Sequence, residues 1–488
     1  MNKPIRTMAI FCMLLFVALM LNTTYLQYVN AGDLNARDDN KRVRDAEFSR
    51  KRGAIVAGGR AVAESVPVKD PYAYQRVYRE PFKYAQLTGY FSYIYGRDAV
   101  ELTENEILSG SDPRLFVDRV VDMVGDNQPE GGSVSLTIDR LAQDAAFAGL
   151  RALGNRVEGA VVALQPSTGK ILAMASSPSY NPNLLASHDF SDVQDDRELL
   201  LDDEADPLVN RATQEVYPPG STFKLVTAAA ALESGDYRPD TLVKGGLSLD
   251  LPQTENDLPN DSGSDCGGDR ITLTQALMTS CNVSFGSIGL QLGDTALREQ
   301  AEQFGFGDVY LRDLSGQVPS RFPEGDVDDP LTAYSAIGQY EVAATPLQMA
   351  MIVAGIGNGG TVMRPYVVDE VRAPDLSVLD QTNPEDYREA VTSSVARDLT
   401  EMMVEVVDRG TGTTAQIPGI KVAGKTGTAQ SEADRPPYAW FVSFAPADDP
   451  EVAVAVLVED AGVARDAISG SGLAAPIAKS VMEAVINR

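Results

Sequence analysis

Ser221-Thr222-Phe223-Lys224 and Lys425-Thr426-Gly427-Thr428 lie about two hundred residues apart and make chemical sense only together. The first offers a hydroxyl and an amine at i and i+3, so both side chains share one face of a helix. The second offers another cation beside a glycine, just before a strand-like run. Ser280-Cys281-Asn282 falls between them. A fold that unites them must bring a helix start, a helix junction and a strand to one place. The single histidine, His188, sits beside an acidic stretch, where a solvated loop residue is expected. A serine–histidine–aspartate arrangement would have to use it. If a serine is activated here, a lysine is the expected base.

At 488 residues, 44% hydrophobic and 23% charged, the chain is long enough for two or three domains with a large core. Its net charge of -28 argues against nucleic acid as a partner, because no basic patch dominates such a field. Lys3 and Arg6 precede an apolar run from Met8 to Leu21, then a weaker segment from Tyr25 to Val29. This pattern predicts a membrane-targeting segment with its N-terminus inside. The strict apolar run of 14 residues is short for a span. An uncleaved anchor is expected; cleavage at Val29-Asn30-Ala31 is the alternative, although that is a mediocre small-x-small site. Everything after residue 30 is then expected outside the cytoplasm, making the chain a single-pass protein of the cell membrane. Cys12 is apolar filler in that run. Cys266 and Cys281 form an even pair in an oxidising setting, which allows a disulfide. It would close a loop of about 15 residues and contribute roughly 3 kcal/mol in the chain-entropy model. Two free thiols are the alternative.

Residues 31–130 show few clean periodic runs. Arg52-Gly53-Ala54-Ile55-Val56 reads as a turn entering a strand, and Leu102 to Leu108 and Pro113 to Val124 as helices. Pro129-Glu130-Gly131-Gly132 marks a boundary. The expected division is 1–30 for the cytoplasmic start and anchor, 31–130 for an N-terminal non-catalytic domain, and 131–488 for the catalytic domain. Ser133 to Ile138 alternates like a strand. Asp139 caps a helix with Leu141, Ala145, Leu150 and Leu153 as apolar positions, and Gly154 ends it. Gly159 to Leu164 and Ile171 to Ala175 are strands joined by a hairpin-like turn. Asp189 to Asp206 is strongly acidic, hence an exposed loop or helix edge. Asp250 to Asp269 reads as a loop. Helices are predicted over Thr222 to Leu232, Thr274 to Met278, Val283 to Leu292, Pro346 to Gly355 and Val395 to Val407. Strands follow over Ile420 to Ala429, Ala439 to Phe444 and Val452 to Val458, then a helix from Ala474 to Ile486. Strands at both ends with helices between predict an α+β fold, with one largely antiparallel sheet built from distant segments and covered by helices.

Ser221 thus starts a helix. Lysine is a poor base at its free pKa of about 10.4, but burial and the nearby charge of Lys425 are expected to lower that of Lys224. Ser167-Thr168-Gly169-Lys170 also matches Ser-x-x-Lys, yet sits in a hairpin turn, and Ser179-Tyr180-Asn181 matches Ser-x-Asn in a Pro-flanked loop. Both read as decoys. Taken singly, Ser280 is a helix cap and Asn282 a turn residue. Gly419 to Thr426 fits the P-loop pattern, but a P-loop needs a helix after it, and this segment runs toward a Pro-rich loop and another strand.

Jointly, Pro218-Pro219-Gly220-Ser221-Thr222-Phe223-Lys224, Ser280-Cys281-Asn282, Gly338-Gln339 with Ala344 to Ala350, and Ala423 to Gln430 carry a family resemblance. The chain resembles class B penicillin-binding proteins, the membrane-anchored peptidoglycan D,D-transpeptidases. The resemblance implies a penicillin-binding/serine-transpeptidase domain with a helical subdomain, on an N-terminal mixed α/β pedestal domain. It implies that Ser221 attacks the D-Ala–D-Ala bond of a stem peptide, with Lys224 as base. Ser280 would pass a proton to the leaving amine, and Asn282 would hold Lys224 and the substrate amide. Lys425 would add positive potential, with substrate binding at Thr426, Gly427 and Thr428. Backbone N–H groups of Ser221 and Thr428 would form the oxyanion hole. Expected partners are peptidoglycan stem peptides, β-lactams as acylating mimics, a membrane-embedded glycan polymerase, and division or elongation proteins. No metal, cofactor or nucleic acid is implied. Val56-Ala57-Gly58-Gly59-Arg60 departs from the family's usual turn, which blurs the N-terminal domain but not the chemistry. D,D-carboxypeptidase and β-lactamase share these motifs, and a division scaffold with a non-catalytic penicillin-binding module is a further alternative. The anchor and long N-terminal region favour the transpeptidase, and intact Ser221, Lys224 and Lys425 argue against a pure scaffold.

Overall fold

The computed structural model describes residues 2–30, 34, 41–115, 130–154, 156–261, 263–430 and 436–487. Of the helix predicted from Pro113 to Val124, Pro113–Leu115 is a single 3-10 turn and the rest lies outside the described residues. Asn2–Thr24 is an α-helix that continues through the π-turn Tyr25–Val29. Lys3–Val29 spans 27 residues and is predominantly apolar. At ~1.5 Å per residue that is about 40 Å, more than the ~30 Å of a bilayer core. Past the strict apolar run the hydroxyls of Thr23 and Thr24 donate to the carbonyls of Leu19 and Met20, so these polar groups are satisfied within the helix. It is a candidate membrane span.

The N-terminal unit is built on a six-stranded sheet. Its order is Val378–Gln381, Val368–Arg372, Ser133–Leu136, Ile55–Ala57, Arg60–Pro67, Tyr74–Tyr78. Only Ile55–Ala57 with Ser133–Leu136 is parallel. Two strands, Val368–Arg372 and Val378–Gln381, come from within residues 131–488, so the sheet extends past the turn at 129–132. Glu101 is fully buried beneath it. Its carboxylate accepts from Arg52 Nε at 2.5 Å, Arg76 Nε at 2.6 Å and Tyr78 Oη at 3.1 Å. Burial pushes this carboxyl up, but the Arg76 and Arg52 guanidiniums outweigh it and hold it below the usual range.

His188 corrects an expectation. It lies in a loop, but its side chain is 10% exposed rather than solvated. Its Nδ1 meets the Asp70 carboxylate at 2.5 Å, and its ring lies 4.9 Å from that of Tyr72. Phe48 also packs on the ring and helps exclude water from it. The acidic helix Phe190–Leu201 is exposed as expected, with Val193 buried.

The second sheet is antiparallel throughout, in the order Ala423–Ala429, Tyr438–Ala445, Val452–Asp460, Glu158–Leu164, Ile171–Ser177. Alternation divides its side chains between two cores. Trp440, Val442 and Phe444 face the core that includes the helix Pro346–Gly357. Ala439, Phe441 and Ala445 face the helices Arg140–Leu153 and Ala475–Ile486. With both faces covered, the strands read as continuous apolar runs. Asp139 caps Arg140–Leu153 as predicted, its side chain accepting from Ala142 N at 2.8 Å. The buried face differs from the expected one: Leu141 is 46% exposed, while Ala142, Gln143, Ala146 and Leu150 are buried. Gln143 is buried because its amide accepts from Met174 N at 2.8 Å and donates to Met174 O at 2.9 Å, satisfying the outer strand of the sheet.

Beside the sheet stands a helical subdomain that includes Lys224–Glu233, Leu273–Met278, Asn282–Gln303 and Ser393–Arg409. The segment read as a loop holds a short hairpin, Ser248–Asp250 with Asp257–Pro259.

Candidate active site

Gly220–Phe223 is one 3-10 turn that runs into the helix Lys224–Glu233. Gly220 sits at φ 52°, a left-handed conformation that glycine adopts without penalty. The turn is fixed from behind. Trp440 Nε1 donates to Pro218 O at 3.0 Å, Gly220 N to Gly338 O at 3.0 Å, and Thr222 Oγ1 to Pro219 O at 2.7 Å. Against it lies Ala423–Ala429, the outer strand of the five-stranded sheet. A Cβ on Gly427 would fall 2.9 Å from Thr222 Cγ2, so glycine lets this strand approach the serine turn.

Ser280-Cys281-Asn282 lies at the predicted helix junction. Ser280 has φ 60°, which for a non-glycine residue costs on the order of 1 kcal/mol. Its hydroxyl stands between two lysines, accepting from Lys425 Nζ at 2.9 Å and Lys224 Nζ at 3.3 Å. Lys224 Nζ also donates to Ser280 O at 2.7 Å and Asn282 Oδ1 at 2.6 Å. Lys425 Nζ also donates to Thr426 O at 2.8 Å. Thr426 Oγ1 meets Thr411 Oγ1 at 2.6 Å. Cys266 and Cys281 form a disulfide, with Cα atoms 5.8 Å apart. Asn282 Nδ2 donates to Pro259 O at 3.0 Å and Asp261 Oδ1 at 3.2 Å.

Both lysines are fully buried. Burial pushes the Lys224 amine down to about 7, against the opposing pull of Asp261. Burial pushes Lys425 well down too, and the nearby Lys224 charge adds to this. Burial, one of the two causes expected for Lys224, is the leading one at both amines, and the two lysines oppose one another's charge.

Ser221, Ser280, Thr426 and Thr428 line one cavity of about 340 Å³, together with Asp261, Thr411 and Ser469. The structure thus unites the residues singled out at 221, 224, 280, 282 and 425–428. The decoy Lys170 is held elsewhere, paired with Asp369 at 2.8 Å. Lys425 and Thr426 lie inside a strand, not in a loop before a helix, so the P-loop pattern has no structural counterpart. Sequence reasoning missed Asp261 and Thr411. Asp261 lies in a polar segment without periodicity, and its one signal was the Cys266–Cys281 pairing, which draws that segment to Asn282.

Residues 159–483 match the penicillin binding protein transpeptidase domain, and residues 52–134 the penicillin binding protein A dimerisation domain. The chain is 43% identical over 491 residues to the peptidoglycan D,D-transpeptidase PbpA of Mycolicibacterium smegmatis, covering 100% of this chain and 99% of the relative. It is 43% identical over 493 residues to PbpA of Mycobacterium tuberculosis, with the same coverage. Its fold matches the ceftriaxone acyl-enzyme complex of M. tuberculosis penicillin-binding protein A, with a TM-score of 0.85 and 42% identity, over 91% of this chain and 100% of that one. The penicillin G acyl-enzyme complex of that protein matches with a TM-score of 0.83, 42% identity, and coverage of 89% and 99%. Fold, motifs and full-length similarity together make this chain a member of the class B penicillin-binding proteins.

Proposed function

We propose that this chain is a peptidoglycan D,D-transpeptidase in which Ser221 carries the acyl group. The observation that carries the reading is the convergence of two buried lysines on Ser280, beside a cavity lined by Ser221. A neutral lysine amine has two N–H donors and one lone pair. At Lys224 the donors go to Ser280 O and Asn282 Oδ1, the two shorter bonds, which leaves the lone pair for a hydroxyl proton. A pKa of about 7 makes that neutral form abundant near physiological pH.

Ser221 Oγ attacks the carbonyl of the D-Ala–D-Ala bond and gives its proton to Lys224. The backbone N–H groups of Ser221 and Thr428 take the developing oxyanion. The Ser280 hydroxyl accepts an N–H from Lys425 and gives its own proton to the leaving nitrogen. Lys224, 3.3 Å away, returns the proton taken from Ser221 to Ser280 Oγ, so the terminal D-Ala departs as an amine and Lys224 is neutral again. An amine from a neighbouring stem then attacks the ester and loses a proton to Lys224. The ester C–O bond breaks, Lys224 returns that proton to Ser221 Oγ, and the cross-link amide is formed. Thr426 and Thr428 bind the substrate carboxylate, and Gly427 keeps the strand close to Ser221. Lys425 donates to Ser280 and adds positive potential beside it. β-Lactams enter the first step and stay as the ester.

Lys3 and Arg6, at the start of the helix before the apolar run from Met8, support a topology with the catalytic unit outside the cytoplasm. The reading includes a membrane-embedded glycan polymerase and division or elongation proteins as partners, and keeps 31–130 as a non-catalytic domain before a catalytic domain from 131.

The test is labelling of the full-length protein in detergent with a fluorescent penicillin, beside Ser221→Ala. A long-lived adduct on the wild type that is lost in the variant is expected. No adduct on folded, oxidised protein would overturn the reading in favour of a scaffold.

A further inference from the structure

The amide of Asn282 has two different ends to place. Its Oδ1 accepts from Lys224 Nζ at 2.6 Å. Its Nδ2 donates to Pro259 O at 3.0 Å and to Asp261 Oδ1 at 3.2 Å. Turned over, the amide would set its oxygen against two acceptors and its NH2 against the Lys224 donors, losing all three bonds. Of the two groups that set this orientation, the carboxylate is the stronger acceptor. The segment carrying it is pinned to the same helix start. Asn260 Oδ1 accepts from Val283 N at 3.2 Å, Asn260 Nδ2 donates to Gly246 O at 2.9 Å and Ser264 O at 2.7 Å, and Cys266 is bonded to Cys281. Asp261 itself is exposed and lines the cavity that Ser221 lines.

We propose that Asp261 is a positioning residue for acylation: its carboxylate fixes the Asn282 amide and, through it, the direction in which Lys224 offers its lone pair to Ser221. The proposal rests on the reading of Lys224 as the base. The geometry resembles a relay in which an acid orients a base without touching the nucleophile. Asp261 has a second, separable effect. Among the described residues, the titratable groups facing Lys224 are Lys425 from the Ala423–Ala429 strand and Asp261 from the loop, with the Phe285 ring 5.8 Å from the amine. The Asp261 charge favours the protonated form of both amines. Losing the charge and losing the hydrogen bond therefore leave different signatures.

The experiment measures the second-order rate of fluorescent-penicillin acylation from pH 5 to 9 in the full-length protein. Wild type, Asp261→Asn, Asp261→Ala and Ser221→Ala are compared, with thermal unfolding of each. Asp261→Asn keeps an acceptor for Asn282 and drops the charge. Its plateau rate is expected within about twofold of wild type, with the acid limb moved to lower pH. Asp261→Ala drops both, so the same limb shift is expected with a plateau about tenfold lower. Two wild-type profiles would overturn the proposal. So would losses that merely track the unfolded fraction, with the limb unmoved. Ser221→Ala separates the two levels: adduct formation that survives it refutes the acylation reading itself, whereas Ser221-dependent labelling with unchanged Asp261 profiles refutes only the positioning role.

Discussion

Glu101 in the N-terminal unit and Lys224 in the active site are both sealed from solvent, yet one keeps its charge and the other is poised to give it up. Glu101 meets two guanidiniums and a tyrosine hydroxyl within 3.1 Å, so its desolvation is offset by opposite charge. Lys224 meets carbonyl oxygens, a hydroxyl and a second amine, while its nearest carboxylate influence, Asp261, sits out in solvent. The same burial therefore gives a fixed ion cluster in one place and a titratable base in the other. What decides between them is whether the neighbours carry compensating charge.

The largest expected effect separates chemistry from stability. Lys224→Met removes the base and should slow penicillin acylation by about 10² to 10⁴. Stability near neutral pH should hold or rise, because a poorly solvated amine is gone. Acylation rates with urea unfolding of the same sample check this, and a stability loss as large as that of a broken ion pair would erase the contrast.

Glu101→Gln is the converse. It leaves Arg52 and Arg76 buried around a neutral amide and should cost about 3 to 5 kcal/mol. The folded fraction should still acylate at the wild-type rate. Urea unfolding showing a loss below about 1 kcal/mol would mean that the guanidiniums find other partners.

The smallest effect is a matter of slope. Acylation should rise about tenfold per pH unit on the acid side and level off above about 7, where Lys224 is neutral. For stability the two sites act in separate windows. Lys224 falls from an unfolded value of about 10.4 to about 7, so the unfolded chain binds more protons between these values and stability rises with pH there. Glu101 is held below its ordinary range, so its contribution is complete above that range and is lost as pH falls through the folded value. Stability curves of Lys224→Met and Glu101→Gln should each flatten in one window only.

The sequence announces the site better than its electrostatics. Ser221 with Lys224, Ser280 with Asn282, and Lys425 are legible because each needs only local geometry and a motif. The antiparallel sheet is legible for the same reason, since its strands are apolar and bounded by turns. What escapes is whatever depends on neighbours from elsewhere in the chain. Leu141 looks like core, but Gln143 takes the buried place because Met174 offers it a donor and an acceptor. His188 looks solvated until Asp70 and Tyr72 arrive from the N-terminal unit. Asp261 is one acid among many until the disulfide brings its loop against Asn282. Lys425 reads as a cation on a strand until the fold shows it buried beside a second lysine, where desolvation lowers its pKa.

The six-stranded sheet also sets an order of events during synthesis. Its first four strands are complete by Leu136, but Val368–Arg372, the partner of Ser133–Leu136, is made about 230 residues later. In a chain that emerges N-terminus first, Ser133–Leu136 presents an open edge throughout that interval. The sheet nearest the start of the chain therefore cannot close until the serine turn, the helix junction and most of the helical subdomain have been made.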